Sequence, residues 1–111
     1  MDAAAVRQLK IKTGVVKRMT KEKATYIKEV EVERERIAKM KEMGRDEYDV
    51  KRQEEVVKEG LAMISNIHKK WLIAYNDLKE TLENSQDLSE SEEYLAAKEA
   101  LEQAQLALES P

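Results

Sequence analysis

Val50, Val57, Ile64, Trp71 and Leu78 stand seven residues apart, with Leu61, Ile67, Tyr75 and Leu82 beside them. A seven-residue spacing keeps one face of an α-helix apolar, whereas a strand, with its period of two, would scatter the same residues over both faces. Five apolar residues in unbroken heptad register specify coiled-coil-like packing against another helix. Little else competes. An all-β chain needs a turn roughly every 8–12 residues, and the breakers here are only Gly14, Gly44, Gly60 and Pro111. The abundant Ala, Glu, Lys and Leu, with Gln, lose least on entering a helix.

Local signals divide the chain. Gly44 follows Lys41-Glu42-Met43 and suits the left-handed position just past a helix end. Asp46 can then accept a hydrogen bond from the free amides of a new helix. These signals predict helices over about 3–43, with Asp2 as a first cap, and about 47–84. The stretch from Asn84 to Ser89 reads as a polar loop. Ser89-Glu90-Ser91-Glu92 has the spacing of a capping box, so a third helix is expected over about 90–109. Its seam is Tyr94, Ala97, Leu101, Ala104 and Leu108; with two small residues, it should hold least tightly. The first helix is less pure. Val16, Val30 and Ile37 form one row and Met19, Tyr26 and Met40 the next, with Lys23 and Glu33 interrupting.

Helix lengths suggest a shape. About 38 residues span roughly 57 Å and about 20 span roughly 30 Å, and short loops make successive helices antiparallel. The expected fold is all-α: an elongated antiparallel three-helix bundle, two long helices and one shorter C-terminal helix, as a single domain over residues 1–111. The third helix should cover only half of the long pair, leaving a two-helix hairpin near Tyr26–Gly60. Trp71-Leu72-Ile73-Ala74-Tyr75 is apolar almost all round, as burial between two neighbours requires.

Charge is unevenly laid out. Residues 1–28 carry a net +6 and residues 85–111 a net −6, within an overall −3. A basic front and an acidic tail can attract each other in one folded unit or face different partners. At roughly 100° per residue, Arg7, Lys10, Lys17, Lys21 and Lys28 fall in one quadrant of the first helix, with Arg18 at the edge. Gly14 lies in that stripe, a weak point in an exposed face. Lys12 and Lys23 fall in the apolar arc and are expected to snorkel at its edge. The stripe is either a solvated face or a dock for an acidic partner. Nucleic acid fits it less well, because no aromatic residue interleaves with it and the isoelectric point is near 5.4.

Catalysis finds no support. The one histidine, His68, has Ile64, Ser65, Trp71 and Leu72 one turn away, none of them a carboxylate to orient it or share a metal. With no cysteine there is no thiolate chemistry or disulfide. The acids match no metal loop and no glycine loop cradles a phosphate, so no catalytic, cofactor or metal site is expected. The longest apolar run, Trp71–Tyr75, is far below the roughly 18 residues of a membrane span, and no signal-peptide pattern opens the chain. A cytosolic location is expected, without membrane binding.

A resemblance adds a partner. The segment Arg7-Gln8-Leu9-Lys10-Ile11-Lys12-Thr13-Gly14-Val15-Val16-Lys17-Arg18 resembles the opening of the tubulin-folding cofactor A (tubulin-specific chaperone A) family. Lys21-Glu22-Lys23 with Tyr26, Tyr48-Asp49 with Gln53, Glu59 with Met63-Ile64, Asp77-Leu78 with Leu82-Glu83, and Glu92-Glu93-Tyr94 continue it. Ser65 stands where family members typically have proline, and Gly60 replaces a small polar residue. The resemblance implies a three-helix bundle that binds β-tubulin released from the cytosolic chaperonin. It would hold that subunit for other tubulin-folding cofactors, as a monomer or homodimer associated with the cytoskeleton. The expected contact residues are Lys10, Lys17, Arg18, Lys21 and Lys28 for long-range attraction, with Tyr48, Met63 and Ile73 as apolar spots. The alternative is a structural coiled-coil module that self-associates through its two-helix half.

Overall fold

The heptad rows and caps fold as three α-helices: α1 (Ala3–Glu42), α2 (Glu47–Glu83) and α3 (Glu92–Glu109). The computed structural model describes residues 3–109, with side chains over 3–107, and no strand occurs among them. Asp2 as a cap and the Leu108 side chain lie outside the described residues. α1 stops where glycine allows. Gly44 has φ +71, its amide bonds Lys41 O at 3.2 Å, and the Arg45 amide bonds Met40 O at 2.9 Å. Those paired bonds satisfy last-turn carbonyls in a Schellman motif. Asp46 then caps α2, its Oδ1 accepting from the Tyr48 amide at 3.2 Å.

Two compact units divide the chain. The first comprises Met1–Lys21 with Lys69–Pro111, and the second Glu22–His68. In the first, parts of all three helices bury Leu9, Val16, Trp71, Leu78, Leu88, Ala97, Leu101 and Ala104 together. α1 and α2 run antiparallel there, since Lys12 meets Asp77 while Thr20 meets Trp71. The second unit is a two-helix hairpin closed by the Gly44 turn, with Val30, Ile37, Val50 and Ile67 buried. Val57 and Ile64 are only half-buried there and Leu61 is exposed, because two helices cover one seam and leave its flanks wet.

Three expectations change. α3 starts at Glu92 rather than Glu90, because the cap is Ser91 and not Ser89. Ser91 Oγ accepts from the Tyr94 amide at 3.1 Å and donates to Leu88 O at 2.7 Å. Tyr94 occupies the position where a capping box needs Glu or Gln, so the box does not form. The intervening residues are also less loop-like than their polarity suggests: Gln86–Leu88 makes a 3₁₀ turn that drops Leu88 into the core. The Trp71–Tyr75 run is not buried all round either. Leu72 and Ile73 are exposed, and only Trp71, Ala74 and Tyr75 face the core.

α2 is unbroken through Gly60 and Ser65. The glycines differ in surroundings. A Cβ on Gly14 would meet nothing within 4 Å, whereas one on Gly60 would lie 2.7 Å from Val30 Cγ2. Gly14→Ala is therefore expected to raise stability by about 0.8–1 kcal/mol through helix propensity alone. Denaturant unfolding checks it, and no gain would mean that the exposed face already resists fraying.

Candidate functional site

The cations of α1 lie where a 3.6-residue period puts them. Arg7, Lys10, Lys17, Arg18 and Lys21 are exposed in the first unit, and Lys28 is exposed in the second. Opposite them, Leu9, Thr13 and Val16 are buried. Thr13 keeps its hydroxyl satisfied by donating to Leu9 O at 2.6 Å. The three apolar candidates are also open to solvent: Tyr48 is 69% exposed, Met63 42% and Ile73 71%. Tyr48 and Met63 belong to the second unit and Ile73 to the first. The eight expected contact residues are thus divided between the two units.

Sequence reasoning missed one juxtaposition. In the first unit Lys10, Thr13, Gly14 and Lys17 line a shallow groove whose other wall is Glu92, Glu93 and Ala96 of α3. Part of the basic stripe therefore adjoins the acidic opening of the third helix. The opposite charges of the two ends were visible, but the rotation of α3 that brings Glu92 and Glu93 there was not. Both carboxylates also sit at the positive end of the α3 dipole, which favours negative charge.

The two lysines in the apolar arc behave differently from each other. Lys12 does not merely snorkel: its Nζ reaches Asp77 Oδ1 at 3.2 Å and donates to Thr81 Oγ1 at 2.8 Å. The pair is partly exposed, so its worth is at most about 1 kcal/mol. Lys23 is half-buried in the second unit, and burial lowers its pKa from the ordinary lysine value by disfavouring the ammonium form. Between that lowered value and the unfolded one, the unfolded chain binds more protons, so this lysine makes stability rise with pH there.

The hairpin unit carries its own polar and apolar features. Gln53 donates to Glu33, which also lies 3.6 Å from Arg36. The glutamate that interrupts the heptad row thus has polar partners. A groove of about 300 Å³ has Ile37, Val57 and Leu61 among its lining, with Arg34, Glu54 and Lys58 alongside. No group of three or more His, Asp or Glu that could hold a metal ion occurs among the described residues. Among the described residues no helix is long and apolar enough to cross a membrane.

Comparison with known proteins agrees with this architecture. A family model described as tubulin binding cofactor A matches residues 4–101. Tubulin-specific chaperone A of Gallus gallus is 46% identical over 101 residues, covering 91% of this chain and 94% of the relative. The solved structure of human tubulin chaperone cofactor A matches with a TM-score of 0.82 at 42% identity, covering 91% of this chain and 98% of that one. The crystal structure of tubulin folding cofactor A from Arabidopsis thaliana matches with a TM-score of 0.89 at 40% identity, covering 95% and 99%. With the three-helix architecture and nearly the whole sequence in agreement, this chain belongs to the tubulin binding cofactor A family.

Proposed function

We propose that this chain binds β-tubulin folding intermediates after their release from the cytosolic chaperonin. It holds them, without catalysis, for other tubulin-folding cofactors in the cytoplasm, in association with the cytoskeleton. The family match over residues 4–101 carries this reading, since relatives across that span are named tubulin-specific chaperones. Exposed cations and exposed apolar side chains on helices suit a binder of a partly folded acidic subunit. The cations Lys10, Lys17, Arg18, Lys21 and Lys28 steer the encounter, while Tyr48, Met63 and Ile73 supply short-range contact. Rim charges act mainly on association rate and its salt dependence, and buried apolar anchors on dissociation.

The test is capture of β-tubulin released from chaperonin, with the bound subunit identified by mass. Reversing two cations of the first unit, Lys17→Glu with Lys21→Glu, is expected to slow capture about tenfold at low ionic strength. It should also flatten the salt dependence and leave helix content unchanged. Capture at the original rate would remove the stripe from the binding surface. No capture of β-tubulin by the unaltered chain would overturn the function itself.

A further inference from the structure

We propose that Ser89 is an acceptor for an acidophilic serine/threonine kinase. The segment between α2 and α3 holds three serines, and the fold treats them differently. Ser85 is buried and its hydroxyl donates to Thr81 O at 2.7 Å. Ser91 is half-buried and uses its hydroxyl twice, on Leu88 O and the Tyr94 amide, so a phosphate there would dismantle the α3 cap. Ser89 is exposed, and among the described residues its hydroxyl serves no partner.

Backbone and sequence both favour the same residue. A kinase takes its acceptor as extended chain, and exposed Thr25 and Ser65 sit in the interiors of α1 and α2. Ser89 lies outside the helices, in a segment held by short turn bonds such as Ser89 N to Gln86 O and Ser91 N to Leu88 O. Such segments open locally at low cost. Glu90, Glu92 and Glu93 follow it, Asp87 precedes it, and the nearest cations in sequence are Lys79 and Lys98. That pattern complements a peptide groove lined with basic residues and repels one lined with acids.

The transfer is balanced by a nucleoside triphosphate on the kinase. Ser89 Oγ attacks the γ-phosphorus, the new O–P bond forms as the bond to the bridging oxygen breaks, and the nucleoside diphosphate departs. The hydroxyl proton passes to the kinase's catalytic carboxylate. The product adds about 1.5 to 2 negative charges at pH 7, placed two residues ahead of the α3 cap.

Purified full-length chain is incubated with ATP and an acidophilic kinase, and in parallel with a basophilic one, then mapped by tandem mass spectrometry. The expected result is a single phosphate on Ser89 with the acidophilic enzyme only. Ser89→Ala should abolish nearly all incorporation at unchanged helix content, while Ser65→Ala leaves it intact. No incorporation, phosphate at another residue, undiminished labelling of Ser89→Ala or equal labelling of Ser89 by the basophilic enzyme overturns the proposal.

Discussion

Trp71→Ala is expected to lower stability by about 3–5 kcal/mol, as large-to-small changes at fully buried aromatic positions do. The side chain is 1% exposed and shares the core of the first unit with Leu9, Val16 and Leu78. Three separate losses combine. Removing the indole leaves a cavity in that core that its neighbours fill only in part by relaxing. It also removes the Nε1 donor to Thr20 Oγ1 at 2.8 Å, whose own hydroxyl donates to Val16 O at 2.7 Å. Finally it strips Tyr75 of a stacked partner 5.1 Å away, a contact worth about 0.5–1.5 kcal/mol beyond burial. Trp71→Phe keeps most of the apolar volume and loses the donor, so it should cost about 1–2 kcal/mol. Urea unfolding of both variants provides the comparison. Equal losses would show that the polar bond, not the filled volume, dominates.

The same residue shows why the helices could be read from sequence. Trp71 and Leu78 complete a heptad row whose period alone fixes one buried face, and those two are its most deeply buried members. Val57 and Ile64 obey the same period in the hairpin unit yet stay half-buried. Period gives the direction of a face, whereas depth depends on how many neighbours cover it. Gly44 and Asp46 were also legible, since each acts on backbone groups within a few residues. The start of α3 was not. Ser89 and Ser91 offer similar caps locally, and the choice falls to Ser91 because the preceding 3₁₀ turn buries Leu88. A tertiary contact decided a local boundary.

The candidate surface follows the same division. That Lys10, Lys17, Lys21 and Lys28 share an exposed face comes from helical geometry and needs no neighbour. That Lys10 and Lys17 line a groove with Glu92 and Glu93 depends on how α3 is rotated, which a seam of small and large apolar residues does not fix in the sequence. Lys12 likewise read as an intruder in an apolar arc, and its role appears only once Asp77 and Thr81 are placed across from it. Ile73 was legible as an exposed spot only by discounting the apolar run around it, because a run apolar on every side hides which side is covered.

Gly60→Leu is expected to cost the hairpin unit about 2–3 kcal/mol, by overpacking against the Val30 methyl that faces the position. An ideal Cβ at Gly60 lies 2.7 Å from Val30 Cγ2, closer than carbon atoms approach. Val30 is buried and β-branched, so its χ1 has few alternatives and its methyl cannot swing aside as a long side chain could. Either α1 and α2 separate there or Val30 leaves its rotamer. Propensity works the other way, since glycine in a helix interior costs about 1 kcal/mol relative to alanine. Gly60→Ala sets these terms against each other and should be nearly neutral to mildly destabilising, while leucine adds three more carbons to the clash with no further gain. Val30→Ala in the leucine background supplies the check. Removing both Val30 methyls opens the position, and the double variant should recover part of the loss relative to the sum of the single changes. Strict additivity of the two substitutions would mean that leucine fails at Gly60 for a reason other than the contact with Val30.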